Sequence, residues 1–283
     1  MGTLSSCGVI GRTAAEPQTQ QETGSISSKN TEVEKENDFV ESIVWQEIEK
    51  PAARSWTETV LRLQELGETD PVIAEISADL SLYPQNMLEA LANNPEMAGF
   101  VAGYPDRSPV AEKGLSESEK RQKIPLLLQW DPRWGYQAYG ENSCIGVSGC
   151  GPTCLSMVLY ALIREETLTP DRIAAFSMEN GYYIEGIGTS WELIYDFPEL
   201  CGAYVAEIGA EETAMKAELD AGRFLICAMK KGDFTAAGHF IVVYGYDESG
   251  FLVNDPNCVA RSRRTWPFGQ LQGQIRAIWS LGI

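Results

Sequence analysis

Among 283 residues there is one histidine, His239, so any reaction that needs an imidazole within a single chain must use it. Seven cysteines accompany it: Cys7, Cys144, Cys150, Cys154, Cys201, Cys227 and Cys258. They are sparse, odd in number and form no C-x-x-C, which argues against a disulfide framework. No paired Cys/His spacing supports a zinc site, and neither a metal nor a cofactor is expected. Cys150 has the local setting of a nucleophile. Gly149 and Gly151 flank it, and Pro152 suits the first turn of a helix. A thiol at a helix N-terminus has a dipole beside it that favours the thiolate, the reactive form. The two glycines leave room for a substrate backbone. The competing reading is a small apolar Cys in a helix-capping turn.

His239 lies in Ala237-Gly238-His239-Phe240-Ile241-Val242, a strand-like run that small residues open on one side. A neutral imidazole beside Cys150 would take its proton and form an ion pair. A third group must orient the ring. Asp247-Glu248-Ser249-Gly250 forms a turn, and the returning strand ends in Asn254-Asp255-Pro256. The hairpin brings His239 and Asp255 to one end. A simple turn leaves them on opposite faces, because the side-chain period along a strand is two; a bulge, which Gly250 could supply, would place them together. Asn254 is the alternative orienter, since Cys-His-Asn sets also work. The oxyanion needs donors. The Cys150 backbone N–H is one, and an upstream amide, Gln129 or Gln137, is the second. Asp255→Ala is expected to slow turnover more than it harms folding.

The elements that must hold these groups show as changes of texture. Residues 1–37 are rich in Ser, Thr, Gln, Glu and Gly and read as a flexible tail. Residues 38–105 predict a set of short helices: Phe39, Ile43, Val44 and Ile48, then Trp56 to Leu66, recur at three-to-four spacing, and Pro71 suits a helix start after Asp70. Residues 106–123 are polar and read as a linker. From 124 onward, helices are expected from Gly151 or Pro152, from Pro170, over Trp191–Tyr195, and over Glu211–Ala221 with Gly222 as its stop. Strands follow at Phe224–Met229, Phe240–Tyr246, Phe251–Asn254 and Ile275–Trp279. Helices first and strands later predict an α+β fold.

Four motifs then carry a resemblance. Gln129-Trp130-Asp131-Pro132-Arg133-Trp134-Gly135, Ser148-Gly149-Cys150-Gly151-Pro152-Thr153, Gly238-His239-Phe240-Ile241-Val242 and Asn254-Asp255-Pro256 stand in the order found in papain-like cysteine peptidases of family thirty-nine. That family includes bacteriocin-leader, double-glycine peptidases and stand-alone bacterial relatives, and residues 124–283 resemble the stand-alone kind. The resemblance implies a papain-like fold, with the Cys on a helix packed against an antiparallel sheet that carries His and Asp. It implies Cys150 as nucleophile, His239 as base, Asp255 as orienter and Gln129 as oxyanion donor, acting on a peptide or protein substrate. There are departures. In the leader peptidases the Gln lies about a turn and a half before the Cys; here Cys144 holds that place and Gln129 is further upstream. No transporter domain is attached, so cleavage of an exported leader is not supported. Residues 38–123 lie outside the peptidase fold and would serve as a cap on the cleft or as a spacer.

The remaining features narrow the setting. A net charge of −18, spread evenly along the chain, offers no basic face to nucleic acid. No apolar run approaches the ~20 residues of a membrane span, and no complete signal peptide is expected. Leu4-Ser5-Ser6-Cys7-Gly8 resembles a lipobox. Lipidation of Cys7 in a longer precursor would tether the protein at the cell surface; a chance match would leave it cytoplasmic. Cys154, one helical turn after Cys150, reads as core packing rather than as a resolving thiol. Asp233-Phe234-Thr235 and Gly188-Thr189-Ser190-Trp191 read as ordinary loops that are also candidates to line a cleft. Arg261, Arg263 and Arg264 are the one cationic cluster and are expected to be paired internally. Two rival functions keep the same residues: acyl transfer or hydrolysis of a cell-wall amide by the same triad, and a catalytically silent binding module.

Overall fold

Ten consecutive residues, 151–160, are buried along the helix Cys150–Ile163. A helix apolar on every side belongs in the middle of a fold, and this one packs against the sheet and the helices Pro170–Glu179 and Glu192–Leu200. The computed structural model describes residues 39–108, 110–111 and 114–283. The tail and the lipobox-like stretch around Cys7 lie outside the described residues.

Two short strands, β1 (Tyr183–Ile184) and β2 (Gly188–Thr189), form a small hairpin. The main sheet has six antiparallel strands: β3 (Tyr204–Ile208), β4 (Phe224–Lys230), β5 (Gly238–Asp247), β6 (Gly250–Asn254), β7 (Thr265–Trp266) and β8 (Ile275–Gly282). They are ordered β3-β8-β4-β5-β6-β7. Strand alternation splits β4 between two cores. Phe224, Ile226 and Ala228 pack against the Cys150 helix, while Leu225, Cys227 and Met229 face Met215 and Leu271. The α+β, papain-like expectation therefore holds. The helix start near residue 151 and the four expected strands lie where the sequence pattern put them, whereas β3 was missed because its strand is only half-buried.

Two local readings change. Helical spacing predicts a helix through Ile43, Val44 and Ile48, but Phe39–Ser42 is a single turn and residues 43–55 have no regular structure. Val44 is 96% exposed and Trp45 47%, so the spacing does not describe a buried face. Pro51 holds the residue before it away from the helical region. Ion pairs of Lys50 with Asp233 (2.6 Å) and of Glu49 with Arg62 (3.2 Å) fasten this extended stretch. The stretch read as a linker contains a helix, Glu117–Arg121, opened by a Ser116/Glu119 capping box. Glu119 is buried there. Arg133 reaches it and Asp131, each at 2.6 Å, so two charged members of the Gln129–Gly135 motif serve the fold.

The helices Trp56–Gly67, Pro71–Ala78, Gln85–Asn93 and Ala98–Ala102 pack around Leu63, Ile73, Leu88 and Leu91. The same apolar cluster contains Leu128, Trp130, Cys144 and Val259. Residues 39–104 thus share a core with the sheet-bearing part, and all described residues fall within one unit.

Candidate active site

Each expected group reaches the site through a different element. Cys150 begins its helix directly after Gly149, with no side-chain cap between it and solvent. Gly151 is needed for space: a Cβ there would come within 2.7 Å of the Thr189 side chain on β2. Thr189 is itself held by the buried Tyr139 hydroxyl at 2.8 Å. The nucleophile candidate is therefore placed by its own helix and by the hairpin laid against it.

His239 stands near the start of β5, and Asp255 directly follows β6. The β5–β6 register slips between Val243 and Gly245, so that one residue of β5 is unpaired. The bulge that brings His239 and Asp255 together is thus at Tyr244, not at Gly250. Gly250 has another role. Its φ of +146° and the Trp266 carbonyl, 2.4 Å from any Cβ built there, leave no room for a side chain. His239 Nε2 lies 2.7 Å from Asp255 Oδ1. Cys150 acts on the same ring, its side chain being the next influence after Asp255 in favouring the protonated imidazole. Asn254 points elsewhere: its amide donates to the Pro125 carbonyl at 3.2 Å.

Burial alone would strip the proton from His239. The Asp255 carboxylate, with smaller help from Cys150, outweighs it and pushes the imidazole up to about 10. Asp255 is fully buried. Desolvation opposes its charge, but His239, then Arg261 and the Asn257 N–H, hold the carboxyl below its ordinary value. Arg261 Nη1 is 3.4 Å from Asp255 Oδ2, and Arg261 is only 4% exposed. The other two arginines of the cluster face acidic residues of the N-terminal stretch, Arg263 to Glu41 at 2.5 Å and Arg264 to Glu47 at 3.9 Å.

Gln129, Cys150 and His239 line one cleft of about 520 Å³. The Gln129 amide nitrogen donates to the Gly146 carbonyl at 3.1 Å and keeps a second N–H; its Oε1 is buried without a partner among the described residues. A buried amide with unused capacity on a cleft wall suits a polar group brought by a ligand. Gln137 does not line this cleft. Gly188, Thr189, Trp191, Phe234 and Thr235 do, so both loops singled out in the sequence border the site. Pro51, Asn86, Ala90 and Asn93, from residues 39–104, also line it. Cys154 is fully buried, and burial pushes its thiol well above the ordinary range, as expected of a packing residue. Among the described residues no group of three or more His, Cys, Asp and Glu is placed to hold a metal ion, and no helix is long and apolar enough to cross a membrane.

Sequence reasoning missed the support behind Asp255. Arg261 was read only as part of a charged run, although an arginine six residues beyond a buried aspartate was the available signal. Glu96 and Asn94 carried no signal, because the turn that they hold is some 160 residues away.

A family model described as "Peptidase_C39 like family" matches residues 121–280, more than half of the chain. No curated protein matches. Two solved structures resemble the chain distantly. The peptidase domain of Streptococcus ComA, a bifunctional ABC transporter involved in a quorum-sensing pathway, is 19% identical over 48% of this chain and 91% of its own, with a TM-score of 0.36. A putative C39-like peptidase from Bacillus anthracis is 14% identical over 61% of this chain and 98% of its own, with a TM-score of 0.33.

Proposed function

Because the chain belongs to the Peptidase_C39-like family, we propose that it is a cysteine peptidase that hydrolyses peptide bonds with Cys150, His239 and Asp255. The observation that carries this reading is that Cys150 and His239 line one cleft, with the His239 imidazole 2.7 Å from the buried Asp255 carboxylate. His239 takes the Cys150 proton, and the sulfur attacks the scissile carbonyl carbon. The Cys150 backbone N–H and the spare Gln129 N–H receive the charge that develops on the carbonyl oxygen. His239 then gives its proton to the leaving amine, which departs from an acyl-thioester. Water, deprotonated by the same imidazole, attacks the thioester and releases the acid, returning the proton to sulfur. Asp255 keeps the ring in the orientation that serves both transfers. If Cys7 is lipidated in a longer precursor, the peptidase acts on peptides or proteins at the cell surface.

The test is cleavage of a diverse peptide pool by the full chain, read by mass spectrometry, with Cys150→Ala as control. New termini that vanish in the variant support the proposal. Products joined to an added amine instead of water indicate acyl transfer. No Cys150-dependent product, together with a Cys150 that iodoacetamide labels no faster at pH 6 than the other accessible thiols, would falsify the peptidase reading and favour a binding module.

A further inference from the structure

The turn that carries Asp255 is short and is held locally by the Asp255 N–H to the Ser262 hydroxyl at 2.8 Å and the Cys258 N–H to the Asp255 carbonyl at 3.1 Å. From Asp255 it runs through Pro256 and Asn257 into the four-residue helix Val259–Ser262. Four residues from elsewhere in the chain also fix it. The Gln129 N–H donates to the Pro256 carbonyl at 2.7 Å, and the Trp130 indole N–H donates to the Asn257 carbonyl at 2.9 Å. Both come from the motif beside the cleft. The other two come from residues 39–104. The buried Asn94 amide also donates to the Asn257 carbonyl. The Glu96 carboxylate accepts the N–H groups of Val259 at 2.7 Å and Ala260 at 2.8 Å. Those two N–H groups open a helix and have no partner within it, so Glu96 supplies one that the turn lacks.

We propose that Asn94 and Glu96 are positioning residues for the triad: from the helical segment they hold the turn of residues 255–260 so that the Asp255 carboxylate meets His239. The inference rests on the peptidase reading for its purpose but on contacts alone for its geometry. Asp255 Oδ1 serves two donors at once, His239 at 2.7 Å and the Asn257 N–H at 2.8 Å. Asn257 is the residue whose carbonyl Asn94 grips. A small rotation of the turn thus moves the oxygen that faces the imidazole, and a hydrogen bond weakens steeply once its angle is lost. Around the turn His239 and Arg261 face Asp255, Glu96 faces both Asp255 and Arg261, the Cys258 thiol lies 3.8 Å from Glu96, and Cys150 faces His239. Residues 39–104 are therefore part of the machinery that aligns the triad, and not a cap to be removed.

His239 is the only histidine, so its ring can be followed in the full chain by nuclear magnetic resonance with labelled histidine and no assignment step. The unsubstituted protein should retain the imidazolium well above pH 7. Glu96→Ala should lower the proton affinity of His239 about tenfold or more and reduce kcat with little change in KM. Glu96→Gln, which keeps one acceptor oxygen, should recover part of both, and Asn94→Ser should act in the same direction. Leu63→Val, a packing change in the same segment, should lower the melting temperature and leave His239 unmoved. A folded Glu96→Gln or Asn94→Ser protein in which His239 titrates as in the unsubstituted chain overturns the positioning role and leaves the peptidase reading intact. An unsubstituted protein whose His239 titrates near 6.5 also overturns the positioning role, because no carboxylate is then aligned on the ring, whereas the peptidase reading falls only if Cys150-dependent cleavage is absent.

Discussion

The two ends of the triad are held in opposite ways. Cys150 is placed by its neighbours in sequence, the helix that it starts and the glycine after it, with one contact from the β1–β2 hairpin. Asp255 is placed by Gln129, Trp130, Asn94 and Glu96, which are more than a hundred residues away, and by Arg261 just beyond its turn. The nucleophile end is a local structure that any packing of the helix would present. The carboxylate end exists only when the whole unit is folded. Removing the Cys150 thiol should therefore damage chemistry with little cost to stability, and removing the Asp255 carboxylate should damage both.

The sharpest contrast comes from Cys150→Ala. Turnover should fall by about 10⁴-fold or more, while the melting temperature stays within about two degrees, as read by peptide cleavage and calorimetry. A large loss of stability would break the claim that this end is local. Asp255→Asn should reduce turnover by about 10²–10⁴-fold and also destabilise the protein, because Arg261 is left as a buried charge without its carboxylate, a cost of about 3–5 kcal/mol in denaturant titration. The buried Arg261 behind Asp255 adds a folding cost to the expected loss of turnover.

Stability should also report the carboxylate end through pH. The His239 imidazolium is favoured in the folded state, with its value raised from 6.5 to about 10, so its contribution is complete below 6.5 and is lost as pH rises towards 10. Urea titrations across that range should show the unsubstituted protein losing stability relative to His239→Gln; parallel curves would mean that the ring gains nothing from Asp255. A smaller effect is expected at Gly151→Ala, where the new methyl meets Thr189: a loss of about 1–3 kcal/mol and roughly tenfold in kcat/KM as the hairpin is displaced. The smallest is Asn254→Ala. It removes one hydrogen bond to Pro125 and should cost about 1 kcal/mol while turnover is unchanged; a turnover loss like that of Asp255→Asn would reinstate Asn254 as orienter.

Much of the site could be read in the order of residues because its chemistry depends on residue type. One histidine, one cysteine between glycines at a helix start and one aspartate before a proline at a strand end are all matters of composition and short spacing. The buried helix and the four main strands were equally legible, because their apolar patterns run longer than the accidents that imitate them. Where a pattern was short it misled. The spacing of Phe39, Ile43 and Val44 matched a helix, but two residues of that stretch lie in solvent and ion pairs to distant side chains settle its course.

Amino-acid order alone set which groups were available and on which elements they would ride, since helix starts, turns and strand periods depend on neighbours a few residues apart. Tertiary structure decided the rest. The bulge at Tyr244, and not the turn at Gly250, put Asp255 on the face of His239. Asn254 turned to Pro125, and Gln129 rather than Gln137 came to the cleft wall. Glu96 met the Val259 and Ala260 N–H groups across 163 and 164 residues of chain. Register, facing direction and long-range hydrogen bonds depend on which surfaces meet once the core has closed, and a single sequence carries no local mark of that choice.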